Sequence, residues 1–413
     1  MRFLYLRRKI LLFLAVMGPG IITASVDQDA GGIATYSLAG ARYGYSMLWA
    51  LFVIAFCLAI VQEMGARMGV VTGKGLADLI RGRYGLRVTL LVMAFLVFTN
   101  LANTVAEFAG VAASLEIFGV SRYISVPLVA AMVGWLVVKG TYRMVERVFL
   151  VASLVYLVYI ISSVLARPQW SSVLKQTLLP TFKLDTGYIV MLITLVGTTI
   201  APWMQFYLQS SIVDKGIHLR LYRYSRIDVY FGATIAALVA YFIIVACGAT
   251  LFINGINVET AAEAALALEP FAGRYASILF AFGLFNASTF AAAIVPLATA
   301  YAVCEGLGWE TGVDRTFSEA PEFFTIYLVM IGIGAGVILL PKAPLLLIMF
   351  LSQTLNGILL PFILIFMLLL INDRDIMGDY VNSRIQNLIA WATAAIMIAL
   401  TILLLAATLV LSS

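Results

Sequence analysis

Stretches such as FFTIYLVMIGIGAGVILL (residues 323–340) and WATAAIMIALTILLLAATLVL (391–411) carry no charged side chain, and similar runs recur along the whole chain. A helix of about twenty apolar residues is long enough to cross the ~30 Å hydrocarbon core of a bilayer. No water reaches backbone N–H and C=O groups there, so only helices and closed barrels span it. Barrel strands are ~10-residue segments of alternating polarity, whereas the runs here are longer and continuous. Composition agrees, with 63% hydrophobic residues, 11% charged residues and a mean hydropathy of +1.03. The sequence therefore predicts an all-α polytopic membrane protein whose surroundings are the lipid bilayer.

Eleven helices are predicted, near residues 10–42, 46–70, 87–114, 122–139, 144–166, 187–213, 227–254, 274–305, 323–340, 344–371 and 384–411, forming one transmembrane domain over 1–413. With a cytoplasmic N-terminus, eighteen Lys and Arg fall on the cytoplasmic side against seven outside, with Arg67 left near a helix end. The positive-inside rule then places the N-terminus in the cytoplasm and the C-terminus outside, in a plasma (inner) membrane. The net charge of +5 follows from this topology, so no nucleic-acid partner is implied. The acidic loop from Glu305 to Glu322 departs from the pattern, but acidic residues contribute little to orientation. The basic start MRFLYLRRKILLFLAVMGPG has the form of a signal peptide, yet cleavage after it would destroy the first helix. Cys57, Cys247 and Cys304 lie in apolar runs without C-x-x-C spacing and are expected to be small core residues.

Two helices are interrupted. The first contains ASVDQDAGGIATYSLAGARYG (24–44), with two carboxylates and a Gly-Gly pair at membrane depth; the sixth contains VGTTIAPWMQFYLQSS, where Pro202 removes a backbone donor in mid-span. A proline kink and a close glycine contact would explain one break. Breaks opening the first and sixth members of a ten-helix core instead match the inverted repeats of secondary transporters, whose freed carbonyls and half-helix ends bind cations near the midplane. No Lys or Arg lies between Lys9 and Arg42, so a bound cation is the expected partner of Asp29.

The segment GPGIITASVDQDAGGIATYSLAGA resembles the first helix of the NRAMP divalent-metal transporters, whose pattern is GPG, D-P-G-N, I-A-T and A-G-A. GARMGVVTGKGLADLIR resembles the second helix and following loop, NTVAEFAG the T-D-L-A-E stretch, GTTIAPW the G-A-T-x-M-P-H stretch, and LSQTLNGILLPF the tenth helix. The resemblance covers nearly the whole chain. It implies a LeuT-type fold with a 5+5 inverted repeat (10–166 and 187–371), an additional helix at 384–411, and a metal site between helices one and six.

The departures from that pattern bear on substrate. The family Asp corresponds to Asp29, but its Pro becomes Ala30, its ligating Asn becomes Gly32, its ligating Met becomes Ala201 and its sixth-helix His becomes Trp203. A carbonyl donor corresponds to Thr198, and Gln353 matches the tenth-helix amide. YLQS matches Y-L-H-S only with one extra residue, which leaves the register near Met204 open. A thioether favours soft metals, whereas carboxylate, carbonyl and water suit Mg²⁺ and Mn²⁺. Gly32 and Ala201 could also enlarge the cavity for an ion that retains waters, or could serve close helix packing. These changes resemble the NRAMP-related magnesium-transporter branch. Asp27 falls on another face, and a water-lined vestibule, a role supporting a ligand, and ligation itself all stay open for it. Gln353 is either a ligand or an interhelical hydrogen-bonding group.

Coupled relatives use the sixth-helix His with a third-helix Asp and Glu, here Trp203, Thr104 and Glu107. Two of three titratable groups are therefore replaced. Glu107 remains as a water-lined carboxyl or a hydrogen-bond partner, and His218, in a basic loop, is expected at the surface. The expected function is uncoupled, alternating-access transport of Mg²⁺ and Mn²⁺ by a monomer that needs no cofactor. A proton-coupled Mn²⁺/Fe²⁺ importer is the alternative. An organic-solute carrier of the same fold would present half-helix N-termini to a carboxylate that Asp29 would repel, and a metal-gated channel or receptor would differ by showing no saturable flux. No nucleophile–base pair or phosphate loop suggests an enzyme.

Overall fold

The computed structural model describes residues 18–139, 151 and 153–412. The basic residues Arg2, Arg7, Arg8 and Lys9, the start of the span predicted at 10–42, and the start of that at 144–166, with Arg143 and Arg147, lie outside the described residues. In chain order the principal helices are α1 (Pro19–Val26), α2 (Ala30–Tyr43), α3 (Leu48–Thr72), α4 (Leu76–Glu116), α5 (Arg122–Val138), α6 (Leu157–Leu165), α7 (Trp170–Leu178), α8 (Thr186–Thr199), α9 (Pro202–Asp214), α10 (Tyr222–Cys247), α11 (Ala276–Leu307), α12 (Pro321–Ile338), α13 (Leu345–Ile371) and α14 (Arg384–Ser412). Among the described residues eight helical stretches are long and apolar enough to cross a membrane. The interrupted α1–α2 span and two shorter apolar helices, Arg122–Val138 and Leu154–Leu165, correspond to the other three spans expected from the sequence.

Both expected interruptions are real breaks in the backbone. Gly18, at φ 148°, turns the chain into α1, and Pro19 fits the first helical turn because its missing N–H would have had no partner there. Asp29 is extended (ψ −177°) and opens α2 by accepting the Gly32 N–H at 2.6 Å. In the sixth span Pro202 forces Ala201 into an extended conformation (ψ 142°), which ends α8 and starts α9. The third span differs from expectation: helix continues back to Leu76, with Gly85 at φ 79° redirecting the axis, so part of the predicted loop is helical. A short helix, α7, also occupies the connection after the fifth span.

Small residues set how closely these helices approach. A Cβ on Gly197 of α8 would lie 2.2 Å from the Gln353 carbonyl oxygen and from the Gly357 nitrogen of α13, so the two backbones are in direct contact. α4 packs along α11 and α13, while α10 packs against α1, α2 and α3. α14 lies against α13, α8 and α3, outside the ten-helix core. Arg67, near the end of α3, is buried: it pairs with Glu63 at 3.1 Å and donates to the Tyr380 and Val381 carbonyls and the Asn382 amide oxygen. Cys247 and Cys304 are buried, Cys57 is half-buried, and all three are free thiols. His218 is exposed.

Candidate metal centre

The two breaks meet inside the bundle. α1 and α8 both end there, directing the negative ends of their dipoles and their unpaired carbonyls at the gap. The point that a Cβ on Gly32 would occupy lies 2.6 Å from the Asp27 carbonyl oxygen, 3.3 Å from Asp29 Oδ1 and 3.4 Å from Thr198 Oγ1. Three oxygens of different chemistry therefore converge on one spot: a carbonyl from the end of α1, a carboxylate from the cap of α2 and a hydroxyl from the end of α8. On the neighbouring face, Gln353 of α13 lies over Gly31 and places Nε2 3.4 Å from each Asp29 carboxylate oxygen. Tyr36 and Thr199 close another side through a 2.9 Å hydroxyl contact.

Glu107 of α4 reaches this centre as a hydrogen-bond partner. Its Oε2 accepts the Ala30 N–H at 3.2 Å, satisfying a backbone donor freed by the break, and its carboxyl adjoins that of Asp29. Both are buried, as is Asp27, and among the described residues no lysine or arginine pairs with any of the three. Adjacent buried carboxylates repel strongly unless a cation or a proton lies between them. No group of three or more His, Cys, Asp or Glu able to hold a metal occurs among the described residues. A cation here would be held by one or two carboxylates with carbonyl, hydroxyl and amide oxygens, a donor set that suits hard ions.

Several expectations require correction. The Asp27 side chain lies in no open vestibule: the residue is 2% exposed, and its Oδ2 accepts from Gln28 Nε2 at 3.2 Å. It is the Asp27 main-chain carbonyl that reaches the centre. Gly32 leaves no spare volume in this closed conformation, because that carbonyl occupies the space an Asn side chain would need. Ala201 sits at the sixth-span break as the residue before α9, buried. Trp203 is buried with its ring 6.4 Å from that of Tyr207, and its Nε1 has no hydrogen-bond partner among the described residues. Thr104 does not join the site: its hydroxyl donates to the Asn100 carbonyl one turn back, and its methyl packs against Gly334 of α12. Sequence reasoning missed Asn103 and Asn356, a mutually bonded amide pair 253 residues apart that abuts Gln353. Their only sequence signal was polarity in an apolar run.

A family model described as natural resistance-associated macrophage protein-like, Nramp, matches residues 20–407. The chain belongs to the Nramp family. The divalent metal cation transporter MntH of Deinococcus radiodurans is 28% identical over 409 residues, covering 95% of this Nramp chain and 89% of that protein. MntH of Klebsiella pneumoniae is 28% identical over 400 residues, covering 94% and 92%. A crystal structure of the Eremococcus coleocola manganese transporter, in complex with an aromatic bis-isothiourea substituted compound, matches with a TM-score of 0.77 at 21% identity, covering 94% and 85%. The nucleobase-cation-symport-1 family transporter MHP1, in a closed conformation with bromovinylhydantoin bound, matches with a TM-score of 0.59 at 15% identity, covering 95% and 91%. The fold of this Nramp chain is therefore the LeuT-type arrangement of two interrupted helices within a ten-helix core, with α14 appended. These relatives are named as transporters, and the family is one of membrane carriers rather than enzymes.

Proposed function

We propose that this Nramp protein is a secondary transporter that carries Mg²⁺ and Mn²⁺ across the plasma membrane by alternating access, as a uniporter with a cytoplasmic N-terminus and an external C-terminus. The observation that carries the proposal is the convergence of the Asp27 carbonyl, the Asp29 carboxylate and the Thr198 hydroxyl on Gly32. The names of the MntH relatives support a divalent metal as cargo. Asp29 is the principal charged ligand, with Thr198 and Gln353 beside it; Gly32 lets the Asp27 carbonyl approach the centre, and Ala201 presents no thioether there. An all-oxygen site favours hard octahedral ions and gives soft metals no advantage. Uptake by sealed vesicles containing the purified protein tests this: Mg²⁺ and Mn²⁺ should both enter with saturation. Uptake of Mn²⁺ without Mg²⁺ would refute the selectivity.

The contact between Glu107 and Asp29 favours a second reading, a proton-coupled transition-metal importer. The two differ in one measurement. A coupled carrier acidifies the vesicle lumen during metal uptake and loses that acidification in Glu107→Gln, whereas the uniporter does neither.

A further inference from the structure

The short helix α7 turns apolar side chains away from the bundle. Trp170, Leu174 and Leu178 recur every four residues and so form one stripe along it. All three are exposed, as are Leu179, Phe182 and Leu184 directly after the helix. Val173 and Thr177, on the adjoining face, are buried, and Thr177 Oγ1 lies 2.9 Å from the Tyr241 hydroxyl of α10. The segment that follows is fastened to the start of α3: Trp49 Nε1 donates to the Thr181 carbonyl at 3.0 Å, and Thr181 Oγ1 donates to the Ser46 carbonyl at 3.1 Å. A helix anchored on one face, with Trp and Leu exposed on the next, suits the boundary between headgroups and acyl chains.

Beside α7, the helices α3 and α10 leave a groove of about 560 Å³ between them, with Thr177 among its lining residues. Ala55, Ala59, Ala233 and Ala237 are buried or half-buried along its floor, while Phe56 and Tyr230 stand exposed at its sides. No charged side chain lines it among the described residues. Between Tyr241, at the α7 end, and Tyr230, α10 covers about 16 Å at ~1.5 Å per residue. That is close to half of a ~30 Å hydrocarbon core, so the groove has the depth of one leaflet and fits a hydrocarbon chain.

Charge indicates which lipid. Between Ala166 and Asp185 the chain carries Arg167, Lys175 and Lys183, all exposed, and none of them pairs with a carboxylate among the described residues. Asp185 is the one acid there, and its Oδ2 is used in accepting the Tyr188 N–H at 3.1 Å. Lys175 follows Leu174 at the edge of the apolar stripe, and Arg167 and Lys183, from either flank of α7, line one cavity. Basic groups at this depth attract anionic headgroups.

We propose that α7 and the α3–α10 groove form a phospholipid site selective for anionic headgroups, with one acyl chain in the groove and the headgroup against Arg167, Lys175 and Lys183. The site is separate from the metal centre and does not depend on which ion is carried. The test is native mass spectrometry of the purified full chain with equal amounts of phosphatidylglycerol and phosphatidylcholine bearing the same acyl chains. Retained phosphatidylglycerol should exceed phosphatidylcholine about fivefold. In the triple variant Arg167→Gln, Lys175→Gln and Lys183→Gln, both lipids should still bind without preference. Ala237→Phe, which fills the groove, should lower retention of both lipids about fivefold; Ala55→Leu serves the same purpose if that variant does not fold. Equal retention of the two lipids by the unaltered protein, or a preference that survives the triple variant, would overturn the headgroup assignment. Undiminished retention by a folded groove variant would overturn the groove as the acyl-chain site.

Discussion

At the residue scale, Gly32 shows how an absent side chain can shape a site. Its α position faces the Asp27 carbonyl so closely that even a methyl group would force that oxygen or α2 to move. Gly32→Ala is therefore expected to weaken Mg²⁺ uptake about tenfold, equivalent to ~1.4 kcal/mol, at unchanged expression; half-saturation measured in vesicles checks this, and an unaltered value would remove the Asp27 carbonyl from the site. Gly32→Asn combined with Ala201→Met should lower Mg²⁺ uptake relative to Mn²⁺, since it adds a soft thioether and displaces the hard Asp27 carbonyl from the centre. An unchanged ratio from competition uptake would show that these two positions do not set selectivity.

At the element scale, the half-helices are held by neighbours rather than by their own length. The eight residues of α1 are too few for a stable isolated helix. Asp228 of α10, itself buried, accepts the Gly18 N–H at 3.2 Å and the Gly20 N–H at 2.7 Å, capping the start of α1 from across the bundle. Asp228→Ala should cost about 2 kcal/mol, the scale of hydrogen bonds to a charged group, and lower the thermal unfolding temperature in detergent; an unshifted transition would show that the cap is dispensable. The breaks themselves were legible in the sequence, because two carboxylates and a Gly-Gly pair make DQDAGG a poor helix at membrane depth, and the proline after Ala201 removes a backbone donor. The bend at Gly85 was not, since a glycine within the basic stretch RGRYGLR reads equally as loop. Nor was the role of Asp27, whose contribution comes from its main chain, or the pairing of Asn103 with Asn356, which joins two helices far apart in sequence. Glu107 was legible as a carboxyl at membrane depth, but its bond to the Ala30 N–H depends on how α4 meets the break.

At the scale of the whole molecule, the site lies in a closed bundle, and moving an ion through it requires the two interrupted spans to open alternately to each side. A divalent ion moving without protons carries its full charge, so uptake should be electrogenic, faster with an inside-negative potential and persistent without a pH gradient. A pH-sensitive dye in the lumen should report no acidification beyond leak; metal-dependent acidification would replace the uniport reading with the coupled one. All of these expectations depend on Asp29 as the charged ligand at the first break. The most direct test is Mn²⁺ and Mg²⁺ uptake by vesicles containing Asp29→Ala, with the variant shown to be monodisperse and helical. Uptake of both ions should fall to the level of protein-free vesicles, and near-normal Mn²⁺ uptake by the folded variant would contradict the assignment.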